Sequence, residues 1–120
     1  MHNRSICPLA KCLDLIGDKW TLILLRDMYL GKVRYSDFLK SDEGITTNIL
    51  ASRLKEMIAN GLIKKKAYQE KPMRYEYSLD QSGKDLLPVV QGMSKWADQY
   101  VMGCRTLPDS FYKLTPADIA

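Results

Sequence analysis

Histidine is almost missing from this chain of 120 residues: His2 is the only one. A site built on imidazole, whether metal-binding or general-base, therefore has little to draw on. Cysteine is scarce too. Cys7, Cys12 and Cys104 are odd in number and widely spaced, which is no disulfide framework, and Cys7 and Cys12 lack nearby third and fourth metal ligands. A zinc-dependent or arsenite-type metal sensor is thus unexpected, and no cofactor is expected. The chain has no glycine-rich phosphate loop, no nucleophile elbow and no recognisable pair of carboxylates, so it does not read as an enzyme. No apolar run approaches the roughly 18 residues needed to span a bilayer. The longest, Trp20 to Leu25, is closed by Asp18, Lys19, Arg26 and Asp27. Arg4 near the start is not followed by an apolar stretch with a small-residue cleavage site, so a cytoplasmic protein with reduced thiols and no membrane partner is expected. There is no internal repeat and no low-complexity segment.

What is present is ordinary in amount and unusual in placement. A hydrophobic share of 46% and a charged share of 27% suit one folded domain, marginal on its own. The net charge is +4, yet residues 46–75 hold seven Lys/Arg (Arg53, Lys55, Lys64, Lys65, Lys66, Lys71, Arg74) against Glu56 and Glu70. That stretch alone carries +5, which leaves −1 for the rest of the chain. Basicity confined to one segment is the footprint of a polyanion site.

Around that segment the pattern is helical. Cys7-Pro8 opens a helix through about Ile16, because proline suits the first helical position. Gly17 breaks it, and Asp18 caps a second, largely apolar helix to about Leu30, expected at the centre of the core. A short amphipathic helix covers residues 34–39, and Asp42-Glu43-Gly44 makes a turn. Thr46 is the natural N-cap of the next helix, with Ile45 and Leu50 placed as a hydrophobic staple. Leu50, Leu54, Met57 and Ile58 point inward; Thr47, Asn48, Ala51, Ser52 and Lys55 make the opposite, small and polar face. Asn60-Gly61 ends it. Residues 62–68 and 74–79 read as two strands joined through a turn at 69–73. Asp80 then caps a last long helix, which Pro88 bends rather than ends. Its stripe Leu86, Val90, Met93, Ala97 and Tyr100 or Val101 is close to a heptad seam, with Leu87, Trp96 and Met102 off it. The fold class expected is mainly α with a small antiparallel β-hairpin: a winged helix-turn-helix. Residues 1–6 form an arm, 7–102 the domain, and 103–120 an irregular tail.

Several motifs in order, Cys7-Pro8, Ile16-Gly17-x-Lys19-Trp20, Arg34-Tyr35-Ser36-x-Phe38, Ile45-Thr46-x-Asn48-Ile49-Leu50-x-x-Arg53-Leu54-Lys55, Gly61-Leu62-Ile63 and Arg74-Tyr75-Glu76-Tyr77-Ser78-Leu79, resemble the HxlR-type family of bacterial transcriptional regulators. The resemblance covers residues 7 to about 102. It implies a winged-helix homodimer that binds double-stranded DNA at pseudo-palindromic operators, with dimer contacts from the N- and C-terminal helices. It also implies that the cysteine before the first helix can sense oxidants or electrophiles. Asp80-Gln81 stands where many such proteins have Thr-Pro, and both start a helix.

Each candidate residue has a plainer reading beside the functional one. Thr46, Thr47, Asn48, Ser52 and Lys55 belong to an ordinary surface helix or to a recognition helix, and the adjoining basic hairpin favours recognition. Lys64, Lys65 and Lys66 protect an exposed edge strand or hold phosphates, and alternation turns only some of them toward DNA. Lys71 and Arg74 lie at the wing tip. Arg53 is equally a salt-bridge residue or a phosphate contact. Trp20 reads as core, whereas Trp96 either packs or lines a pocket at the dimer interface. Cys7, at a helix start with Lys11 one turn on and Arg4 nearby, meets the conditions that lower a thiol pKa. Cys12 reads as inert core, and Cys104 as an exposed partner thiol. The expected function is a homodimeric, sequence-specific DNA-binding regulator, responsive through Cys7 to an oxidant or electrophile. A winged-helix protein-interaction module, or control of the same fold by a non-covalent small ligand, are the alternatives.

Overall fold

A computed structural model describes residues 5–120; His2 and Arg4 lie outside them. Helix α1, Pro8–Ile16, has Cys7 at its N-cap and proline in its first turn. Helix α2, Thr21–Tyr29, is started by Asp18, whose carboxylate accepts the Trp20 and Thr21 N–H groups at 2.9 and 3.0 Å. A short α3, Tyr35–Phe38, precedes α4, Thr47–Ala59. Gly61, with φ +75°, turns the chain out of α4. Strands β1, Ile63–Glu70, and β2, Met73–Leu79, pair antiparallel and form the wing. They are followed by α5, Gln81–Asp85, α6, Leu87–Tyr100, and α7, Asp109–Lys113. Among the described residues no helix is long and apolar enough to cross a membrane.

The core forms around α2. Leu24 and Leu25 are fully buried there, against Phe38, Leu50, Leu54, Met57, Ile63 and Leu87 from the surrounding elements. Burying each such side chain contributes about 1.5–3 kcal/mol against leaving it in water. The Tyr29 hydroxyl donates to the Gly83 carbonyl at 2.5 Å, fixing α5 on α2. Val33 and Arg34 add a short bridge along the free edge of β2: the Val33 carbonyl accepts from the Tyr77 N–H at 2.7 Å, and Arg34 pairs with Glu76.

Four features differ from the sequence expectations. The strands run closer together, joined by only Lys71-Pro72, whose peptide bond is cis. The last helix is two helices, because Pro88 has no N–H for the Lys84 carbonyl and its ring crowds that turn; the chain bends at Leu86. The expected seam is also split. Val90 is buried and Ala97 half-buried against the protein's own core, while Val89, Met93, Trp96 and Tyr100 form the uncovered row. Residues 103–120 are not irregular throughout: α7 buries Phe111, and the Gln91 amide donates to the Phe111 and Leu114 carbonyls at 2.8 and 2.9 Å.

Candidate nucleic-acid interface

Helix α4 begins as the sequence implies. The Thr46 hydroxyl accepts the Ile49 N–H, at a long 3.4 Å. The inward stripe is closed, with Leu50, Leu54 and Met57 buried. On the other side Thr47, Asn48, Ala51, Ser52 and Lys55 are all exposed, so a continuous face of small donors and acceptors is free to enter a groove. Two contacts that sequence reasoning missed aim this helix. The Tyr35 hydroxyl donates to the Thr47 carbonyl at 2.7 Å, tying α3 to the first turn of α4. Arg26 of α2 holds Glu43, in the turn before α4, through two hydrogen bonds of 2.8 Å. This guanidinium drops the Glu43 carboxyl from 4.5 to about 2, against the opposing effect of burial. Arg26 also bonds Asp27, a buried carboxylate whose second oxygen makes no hydrogen bond and has Lys32 at 3.7 Å. Nothing local in the sequence joins residue 26 to residue 43; only the packing of α2 under the turn does.

Arg53 reaches Asp18, at 3.9 Å, with its side chain half-buried. Of the two roles open to it, the geometry supports the ion pair that staples α4 to the start of α2.

Alternation sorts the wing lysines. Lys65, opposite Tyr77, lies 4.3 Å over the Tyr75 ring and shares with Lys55, Ala51 and Ile58 a groove of about 320 Å³ between α4 and the hairpin. Lys64 turns to the other face and approaches Asp80 at 3.8 Å. Lys66 stands opposite Glu76. A bulge between Ala67 and Gln69 leaves Tyr68 out of register. Arg34 uses it, stacking 4.1 Å above the Tyr68 ring while its Nε lies 3.3 Å from Glu76. Lys71 and Arg74 are exposed at the tip. Lys55 and Lys65 thus line one groove beside the exposed Thr47, Asn48 and Ser52, while Lys71 and Arg74 are exposed at the wing tip and Arg53 is half-buried.

Cys7 is exposed at the N-cap of α1. The backbone N–H groups of Ala10, then Leu9, hold the thiol below its ordinary 9.0. The cause is the helix start rather than Lys11. Cys12 is half-buried against the core, and Cys104 is exposed with its Sγ 3.7 Å from the Ala97 carbonyl. Trp20 packs on the core as expected, while Trp96 is 62% exposed and meets the Tyr100 ring at a tilt. Among the described residues no group of three or more His, Cys, Asp or Glu could hold a metal ion.

An α4 with an open polar face, braced by α3 and followed by a basic hairpin, defines a winged helix-turn-helix transcriptional regulator. The family model described as HxlR-like helix-turn-helix matches residues 15–104, and the chain belongs to that family. It is 38% identical over 94 residues to the uncharacterised HTH-type transcriptional regulator YdeP of Bacillus subtilis, covering 78% of this chain and 73% of YdeP. YybR of the same organism, also an uncharacterised HTH-type regulator, is 36% identical over 96 residues, covering 80% and 77%. Among solved structures, the redox regulator HypR in its oxidised form superposes with a TM-score of 0.71 at 35% identity, over 84% of this chain and all of HypR. The reduced form of the transcriptional regulator YodB from B. subtilis gives 0.63 at 27% identity, over 84% of this chain and all of YodB. Regulators, not enzymes, are what this chain is similar to.

Proposed function

We propose that this regulator acts in the cytoplasm as a homodimer on operators of approximate two-fold symmetry, and that Cys7 is its sensor. The observation that carries the DNA reading is the shared groove of Lys55 and Lys65 beside the exposed face of α4. Thr47, Asn48, Ser52 and Lys55 read base edges, while Lys65, Lys71 and Arg74 hold phosphates or the minor groove. Thr46 caps the helix, and Arg53 acts mainly through Asp18. A protein-interaction module would not need this localised positive charge.

Two uncovered apolar faces support the dimer. Leu9 and Leu13 of α1 are 67% and 48% exposed, and Met93, Trp96 and Tyr100 of α6 are 56%, 62% and 65% exposed. Surfaces of that kind are covered in a stable protein. Pairing through them sets two copies of α4 about 34–36 Å apart, one turn of DNA. Cys7, activated by its helix start, is oxidised by a peroxide to a sulfenic acid as the peroxide O–O bond breaks; a second thiol then displaces water and forms a disulfide. Cys104 is the exposed candidate for that thiol, within or between subunits. An electrophile such as a quinone or aldehyde would instead add to the Cys7 thiolate directly. Either product lies on α1, at the proposed subunit boundary. The likeness to HypR and YodB, one named a redox regulator and the other solved after diamide treatment, supports this reading.

The test is selection of duplexes from genomic DNA, followed by binding of the selected operator by wild type, Arg74→Ala, Asn48→Ala and Cys7→Ser. Arg74→Ala should weaken binding alike on all sequences and make the salt slope shallower by about one. Asn48→Ala should change which sequence is preferred. A mild oxidant should alter operator binding by wild type and leave Cys7→Ser unmoved. Equal, weak binding to every duplex refutes the DNA reading, and equal oxidant responses remove Cys7 from the mechanism.

A further inference from the structure

A second cavity lies apart from the groove of Lys55 and Lys65. It holds about 410 Å³ between α2, α6 and the segment that follows α6, which is within the ~300–1,000 Å³ range of small-molecule sites. Leu22, Ile23, Val90, Met93 and Leu107 give it mainly apolar walls. One side is built by Arg105, Leu107 and Tyr112, beyond residue 104 where the family match ends. The chain therefore closes this space with its own C-terminal segment, held in place by buried Phe111 and the Gln91 amide.

Two arginines and two carboxylates, Glu43 and Asp98, line the cavity, and the arginines differ in availability. Arg26 is committed to Glu43 and Asp27 by close hydrogen bonds, with its side chain only 17% exposed. Arg105 has one ionic partner, Asp42 at 2.8 Å, and both side chains are more than 70% exposed. An ion pair that exposed is worth little and is readily exchanged for a better anion. A guanidinium beside an apolar cavity is complementary to an organic anion with a compact hydrophobic body.

We propose that this cavity binds a small aromatic carboxylate: the rings occupy the apolar space, and the carboxylate takes Arg105 from Asp42. Asp42 sits in the turn that precedes α4, next to Glu43. Binding thus removes one of the two arginine ties on that turn and leaves the Arg26–Glu43 tie to hold the recognition helix. The inference does not rest on DNA binding or on the reactivity of Cys7, because neither the α4 face nor the Cys7 thiol takes part in its site or its test.

Cys104 lines the same cavity and reports on it. The experiment follows alkylation of Cys104 in the full-length protein by peptide mass spectrometry, with 2-naphthoate as probe and 2-naphthylmethanol as its neutral counterpart. Naphthoate should slow alkylation saturably. Arg105→Gln should weaken that protection about tenfold, the loss of one charge-assisted contact. Asp42→Asn should strengthen it by removing the competing carboxylate, and neither variant should move the weaker effect of the alcohol. The proposal is overturned by no saturable protection, by equal protection from acid and alcohol, or by unchanged naphthoate affinity in both variants. Protection that rises with protein concentration alone also overturns it, since a second copy would then fill the cavity.

Discussion

Replacing Glu43 by glutamine isolates the tie between α2 and the turn that precedes α4. Glu43 accepts two hydrogen bonds of 2.8 Å from Arg26, whose side chain is 17% exposed, while its own is 33% exposed. The Arg26 guanidinium is the main reason its carboxyl falls from 4.5 to about 2. For a fully shielded pair that displacement corresponds to on the order of 3 kcal/mol. The third of the side chain still in water brings the expectation to about 1–2 kcal/mol. Because the folded-state pKa is depressed, the contribution is complete above the unfolded value of 4.5 and is lost as pH falls through about 2. Urea unfolding followed by tryptophan fluorescence should show Glu43→Gln less stable than wild type by that amount near neutrality. The gap should shrink steadily below pH 4.5, with less than half remaining by about pH 3. A gap that stays constant between neutrality and acid would refute the ionic origin and assign the loss to packing.

Gly83→Ala would place a Cβ 2.3 Å from the Leu62 carbonyl oxygen, so α5 must shift away from the start of β1; calorimetry should show a loss of about 1–3 kcal/mol. Thr46→Ala should cost about 0.5–1 kcal/mol in the same measurement, the low end for an N-cap because its bond is long. Trp96→Glu puts a charge in the middle of the exposed α6 row and should sediment as monomer or aggregate where wild type sediments as a dimer; an unchanged dimer would move the interface elsewhere.

The parts of this molecule legible in its sequence are those fixed by neighbours a few residues away. Thr46 as a cap, Asp18 as a cap, the Leu50–Leu54–Met57 stripe and the stop at Gly61 each depend on one turn of backbone, and each stands where it was read. The α6 stripe was misread for a definable reason. A helix apolar on two sides has two candidate seams, and periodicity alone cannot tell which one the domain itself covers. Val90 went inward because α2 lies beneath it, leaving Trp96, nominally off the seam, in the middle of the open row. The tail was misread for a similar reason. Its two prolines suggest irregularity, whereas Phe111 finds a buried place that only the assembled core provides.

Contacts that orient α4 and the wing were the least legible, since they join residues far apart in the chain. Arg26 meets Glu43, Arg105 meets Asp42, and Arg34 reaches both Glu76 and Tyr68. None of these residues belongs to the polar face of α4, yet each fixes an element that carries it. Arg26 and Arg105 grip adjacent positions of one turn from opposite ends of the domain's chain. The two grips differ in strength, one shielded and bidentate, the other a single exposed pair. A turn held by one strong and one weak tie keeps its place when the weak one is exchanged, and it responds there first. Loss of the Arg105–Asp42 pair should therefore disturb this turn less than loss of the Arg26–Glu43 pair.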